Sequence, residues 1–192
     1  MLEGKNVNLK VWERDDIDFL VECISNIDFG GEYVPIEQQS KSDWMKWFDN
    51  PPSNWAVFSE QKDFVVQKKD GTKIGLIGYR FNQPYEWMEI VYDIVPSERK
   101  KGYGTEAVRL VVDYLFLSKD LVRIQAITDV RNKASQGVLE RAGFNKEGTI
   151  RKCVYNRGEW RDYCLFSILR EEWKEAMDSF DEAIHGKRDA RK

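Results

Sequence analysis

Histidine is almost missing from this chain: one residue of 192, His185, in a charged stretch near the end. An imidazole so placed disfavours Ser-His-Asp and Cys-His mechanisms, which need the ring inside a folded cleft. Cysteine is scarce too. Cys23, Cys153 and Cys164 are odd in number and lack Cys-x-x-Cys spacing, which argues against a disulfide framework or a metal site and fits reduced thiols in the cytoplasm. No apolar run approaches the roughly 20 residues that span a bilayer; the longest, near Leu110 to Leu117, is broken by Asp113. The opening Met1-Leu2-Glu3-Gly4-Lys5 has no apolar secretion-signal core, so a cytoplasmic protein without a membrane partner is expected. Neither charge dominates. Thirty Lys plus Arg stand against 33 Asp plus Glu, a net charge of −3, and this field predicts no direct nucleic-acid partner.

What is present is a globular composition, 42% hydrophobic and 13% aromatic, at a length that suits one domain with an elaboration. Val7, Leu9 and Val11 alternate as a first strand, and Asp15-Asp16 open a helix with Ile17, Leu20, Val21 and Ile24 on one face. A short helix over Ser42 to Phe48, capped by Ser42, ends before Pro51-Pro52. Strands over Phe64 to Gln67, Lys73 to Phe81 and Trp87 to Val95 read as an antiparallel meander, the first two joined at Asp70-Gly71. An amphipathic helix from Tyr103 to Leu117 precedes a buried strand, Leu121 to Ile127. Asn132 then caps a helix running to Arg141, with Gly143 beyond its end. Strands near Lys146 to Val154 and Arg161 to Ile168 follow. The pattern is a mixed α/β domain over residues 1–172 and a helical, charged tail over residues 173–192.

One loop carries the first clue to function. After Pro96, the run Arg99-Lys100-Lys101-Gly102-Tyr103-Gly104-Thr105 joins a strand to a helix. Such a turn collects unpaired amides and the positive end of the helix dipole at one point, which binds phosphate. Glycine lets the backbone close on an anion, and Arg99, Lys100 and Lys101 add charge. A Walker loop is excluded because Gly104-Thr105 lacks the intervening lysine. A dinucleotide fingerprint fits poorly, since polar residues separate the strand from the glycines.

Arg99-x-x-Gly102-x-Gly104 resembles the acyl-CoA pyrophosphate loop of the GNAT N-acetyltransferases. Asp129 to Ser135, followed by Val138-Leu139-Glu140-Arg141-Ala142-Gly143-Phe144, resembles that family's motif in which an Asn opens a helix closing in Gly-Phe. Glu147 to Arg151 and Gly158 to Asp162 are similar to the RimJ/RimL branch, which acetylates ribosomal-protein N-termini. The resemblance implies a central, mostly antiparallel mixed sheet of about seven strands, with parallel strands four and five splayed apart and helices on both faces.

It also implies acetyl-CoA as co-substrate, bound by Ile94, Val95, Arg99, Lys100, Lys101, Gly102, Tyr103, Gly104, Thr105 and Asn132. A backbone amide freed by a bulge near Tyr92 to Val95 would serve the thioester oxygen. Glu89 lies in the apolar run Trp87 to Tyr92, where burial would raise a carboxylate toward the working pH, and the resemblance makes it the general base. The family's usual acid, a Tyr four residues before the Gly of Gly-Phe, is replaced by Leu139, which leaves Ser135 to face the departing sulfur. Glu32, Tyr33, Glu37, Tyr79 and Trp160 are expected to form the acceptor cleft. The acceptor partner expected from the resemblance is a protein N-terminal α-amine; the alternatives are a small amine such as a polyamine or amino sugar, or an acyl-CoA-binding module without chemistry. A homodimer is left open.

Overall fold

The computed structural model describes residues 1–35, 40–49, 62–82 and 87–176. Its strands are β1 (Leu2–Glu3), β2 (Val7–Val11), β3 (Lys62–Lys68), β4 (Lys73–Asn82), β5 (Trp87–Ile94), β6 (Arg123–Asp129), β7 (Asn145–Asn156) and β8 (Glu159–Leu169). They form one sheet in the order β1-β2-β3-β4-β5-β6-β8-β7. Only the β5–β6 neighbours are parallel. The helices are α1 (Ile17–Ser25), α2 (Ile27–Gly30), α3 (Lys41–Asp49), α4 (Tyr103–Ser118) and α5 (Lys133–Arg141).

Among the described residues eight strands stand where about seven were expected, because Leu2 and Glu3 fold back on Leu9 and Asn8. The turn is clamped from α4: Glu106 accepts from the Asn6 amide and side chain, each at 2.7 Å. The expected parallel strands four and five are therefore β5 and β6. A second shift concerns the β6 start, which falls at Arg123 rather than Leu121. The Arg170 guanidinium donates to the carbonyls of Phe116 (2.9 Å), Lys119 (2.5 Å) and Leu121 (2.6 Å), which holds that stretch as a loop. In α3 the cap is Ser40, not Ser42. Ser40 Oγ accepts from the Asp43 amide at 3.2 Å and donates to Asp43 Oδ2 at 2.6 Å.

α4 buries Ala107, Val108, Val111, Val112, Leu115 and Phe116, spaced three and four apart, against Val7, Leu9, Phe64, Val66, Ile77, Met88 and Ile90 of the sheet. Each of these side chains larger than Ala107 contributes about 1.5 to 3 kcal/mol by leaving water. Val65 points opposite to its neighbours Phe64 and Val66, yet it is fully buried. The sheet is thus covered on both faces, with α1 and α2 on the side away from α4. The packed body also runs past residue 172, where the tail was expected to begin. Trp173 is buried on Phe116 and donates from Nε1 to Asp113 Oδ1 at 2.8 Å. His185 lies outside the described residues. Among the described residues no helix is long and apolar enough to cross a membrane.

Candidate active site

The gap in the sheet follows from its pairing. β5 and β6 share only two residue pairs, Met88–Ile124 and Glu89–Gln125. Beyond them β5 stays on β4 as far as Ile94, and β6 stays on β8 as far as Asp129. Each strand keeps its outer neighbour, so the inner edges separate. The register of β5 on β4 is unbroken from Trp87 to Ile94, so no bulge interrupts it there. The parting alone supplies what a bulge was expected to supply: the Val95 amide bonds the Ile74 carbonyl on the β4 side, so by alternation the Tyr92 amide points toward β6, past the last shared pair.

A cavity of about 1090 Å³ opens on this gap, walled by α1, α2, β4, β5, β6 and the start of α5. Five carboxylates reach its wall: Asp43, Asp63, Glu89, Asp93 and Asp129. Asp63 pairs with Arg80 (2.7 Å), Asp93 with Arg99 (3.0 Å) and Asp129 with Arg131 (2.7 Å). Asp43 takes the Ser40 hydroxyl and lies 3.8 Å from Lys46. Glu89 differs. Among the described residues it has no cationic partner and accepts one neutral hydrogen bond, from Gln125 Nε2 at 3.0 Å. Arg80, directly across on β4, turns its guanidinium to Asp63 and the Tyr79 carbonyl instead.

Burial pushes the Asp93 carboxyl up to about 6, against the opposing pull of Arg99. The folded protein therefore holds this proton more tightly than the unfolded chain, and the group costs stability progressively as pH rises from about 4 to about 6. Asp93→Asn should be more stable than the unaltered protein by about 1 to 3 kcal/mol at pH 7, with the advantage gone at pH 4. Urea unfolding at the two pH values checks this, and a constant difference would contradict it.

The loop over residues 99–105 turns at Gly102 into α4, and its three cations are differently engaged. Gly102 caps α4 at φ 87°, a left-handed conformation suited to glycine, and no side chain caps the helix. Lys100 is also left-handed, at φ 63°, a strained setting for a side chain. The first amides of α4 have no acceptor within the helix, and the buried Thr105 Oγ1 in its first turn lacks a hydrogen-bond partner. An uncapped helix mouth and an orphaned hydroxyl fit a diphosphate. Of the three cations, Lys101 bonds Glu98 at 2.9 Å, and the Arg99 side chain folds inward. It donates to the Ile94 carbonyl (2.8 Å), to the Phe29 carbonyl and to Asp93. Arg99 thus ties the loop to the end of β5 and to α2, and Lys100 is left as the exposed, unpaired charge among the described residues.

Asn132 caps α5, accepting the Ser135 amide at 3.0 Å, and both residues line the cavity. Ser135 Oγ lies 2.9 Å from the phenol oxygen of Tyr92. The four-residue spacing puts Leu139 on the same face of α5 as Ser135, where it is fully buried in the core. The expected acceptor residues divide. Tyr33 lines the cavity beneath the Arg131 guanidinium. Glu32 is exposed, 3.9 Å from the same guanidinium. Tyr79 is 1% exposed and packs on Phe64 and Tyr114 within the core, which removes it from the cleft. Trp160 is 54% exposed and meets Tyr155 at the β7–β8 turn, away from the cavity. Glu37 lies outside the described residues. Tyr92 and Gln125 were missed because their partners, Ser135 and Glu89, are distant in sequence; Asp93 was missed because its burial leaves no local mark.

Known proteins are similar to this chain in sequence and fold. The acetyltransferase (GNAT) domain matches residues 6–145. The uncharacterised N-acetyltransferase YoaA of Bacillus subtilis is 34% identical over 175 residues, covering 88% of this chain and 97% of that protein. The spermidine N(1)-acetyltransferase of Escherichia coli is 24% identical over 184 residues, 90% of this chain and 91% of its own. The crystal structure of the ribosomal-protein-S5-alanine acetyltransferase of Vibrio fischeri superposes with a TM-score of 0.75 at 23% identity, covering 89% of this chain and 97% of its own. With a parallel pair parted over a cavity, an uncapped helix mouth beside it, and a domain match over most of its length, the chain belongs to the GNAT family of acetyl-CoA-dependent N-acetyltransferases.

Proposed function

We propose that the acceptor is the α-amine of a protein or peptide N-terminus, and that it attacks the thioester directly while both substrates are bound. The observation that carries this reading is the solitary state of Glu89. A polyamine presents several ammonium groups and calls for several uncommitted carboxylates. Among the described residues of the wall, Asp63, Asp93 and Asp129 are each already paired with arginine and Asp43 takes the Ser40 hydroxyl beside Lys46, which leaves Glu89 as the one uncommitted carboxylate for one amine. An α-amine, with a pKa of about 7.7 to 8.0, costs only about 1 kcal/mol to deprotonate at pH 7. One half-buried carboxylate suffices for that. The cavity volume, about 1090 Å³, is at the upper end of small-molecule pockets and suits a chain end.

In this reading the amides of 102–105, with Lys100 and Thr105 Oγ1, hold the diphosphate, and the coenzyme when bound supplies an activated acetyl group. Glu89 receives the amine proton, directly or through water. The Tyr92 amide, opening on the gap, donates to the carbonyl oxygen as charge develops there. Ser135 faces the sulfur. Tyr33 and Glu32 stand at the acceptor side.

Labelled acetyl-CoA offered with free-N-terminus peptides, N-blocked peptides containing lysine, spermidine and an aminoglycoside decides between acceptors. Label is expected only on free α-amines. Transfer to spermidine and not to peptides would establish a small-amine enzyme, and coenzyme binding without transfer to any amine would establish a binding module.

A further inference from the structure

Ser135 sits in the first turn of α5, where a hydroxyl ordinarily satisfies itself on nearby backbone. No such bond is made here. Its side-chain partner is Tyr92, whose phenol oxygen lies 2.9 Å from Ser135 Oγ and 3.2 Å from the Ser135 carbonyl oxygen. The contact joins β5 to α5 across the cavity wall, and both residues line it. It also stands one helical turn from Leu139, the fully buried apolar residue occupying the family's usual acid position.

We propose that Tyr92 is a positioning residue for acetyl transfer: its phenol donates to Ser135 Oγ, so that the single Ser135 proton points into the cavity at the departing sulfur. This rests on the transferase reading above. The phenol carries one proton, and in this proposal it is shared, mainly with Oγ at 2.9 Å and more weakly with the Ser135 carbonyl oxygen at 3.2 Å, which can only accept. With that Oγ lone pair occupied, Ser135 acts as a donor. Burial pushes the Tyr92 phenol up to about 12, so it stays protonated through the working range and does not itself give up the proton. The step balances without it. The amine's electron pair forms the C–N bond, the C–S pair leaves on sulfur, Glu89 passes the amine proton to solvent, and the sulfur, held by the Ser135 hydrogen bond, takes a proton from solvent.

The test uses the thiol of coenzyme A bound to the full protein, titrated by its thiolate absorbance, alongside steady-state kinetics. On the unaltered protein the bound thiol should titrate about one unit below free coenzyme A, a tenfold preference for the anion. Tyr92→Phe keeps the ring and should return the thiol to within a few tenths of the free value. It should also lower kcat about tenfold while changing the KM for acetyl-CoA less than twofold. Ser135→Ala, an exchange that adds no bulk on α5, should do the same, and the double variant should be no worse than Ser135→Ala alone. If Tyr92→Phe leaves the bound thiol where the unaltered protein holds it, or if the two losses multiply, the proposal is overturned. The same holds if the unaltered protein does not shift the thiol. The titration needs no acceptor, so an error in the assigned acceptor and an error here read out separately.

Discussion

Glu89→Gln should lower turnover about a hundredfold to a thousandfold at pH 7, the usual contribution of a positioned base, while acetyl-CoA affinity stays within a factor of two or three. Glutamine keeps the size of the side chain and can still accept from Gln125 Nε2, now 3.0 Å from Glu89 Oε2. What it loses is the capacity to take a proton. The deficit should shrink as pH rises toward 9, where an α-amine is already neutral without help. Stopped assays of the two proteins between pH 6 and 9 give both quantities. Equal turnover and an unchanged pH profile would transfer the role elsewhere, and Asp93 would then be the next carboxylate to test. It faces the same cavity and is held near 6.

Gly104→Asp should weaken coenzyme A binding about a hundredfold or more while leaving the fold as stable as before. A Cβ at Gly104 would meet Ile94 Cγ1 at 3.6 Å and Val138 Cγ2 at 3.7 Å, ordinary contacts. A carboxylate in the first turn of α4 favours the helix by about 0.3 to 1 kcal/mol through its dipole. Against a diphosphate seated on the same amides, it adds a like charge at a few ångströms, worth about 3 kcal/mol at a partly exposed site. Gly102 is a poorer probe. Its φ of 87° makes any side chain there cost about 1 to 2 kcal/mol in backbone strain, which would mix stability with affinity. Calorimetric titration with coenzyme A and a thermal melt separate the two effects at Gly104. Unchanged binding would mean that the helix mouth holds no phosphate.

The strand–loop–helix–strand unit from Trp87 to Ile127 was legible because each part leaves a local mark: apolar runs for β5 and β6, glycines at the turn, and spacing of three and four along α4. The position of Glu89 in its strand was legible for the same reason. Facing was harder to read. Tyr79 belongs to β4, where Ile77, Gly78 and Tyr79 are all buried, so alternation of polarity does not say which side a residue takes. Trp160 follows Gly158 in a turn and needed only proximity in sequence to look like part of a cleft. Arg99 was recognisable as a motif residue, but the direction of its side chain depends on Phe29, 70 residues earlier. The Tyr92–Ser135 contact spans 43 residues. Local pattern carries no information on such pairs; the crossover through α4 creates them.

The parting of β5 from β6 makes the sheet two leaves on a narrow spine. Five strands hang together on one side and three on the other, with two residue pairs of ladder between them. A ligand wedged into the opening would act as a splint, replacing absent strand-to-strand bonds with bonds of its own. Rigidity in this molecule would then be something it partly borrows from the donor it consumes.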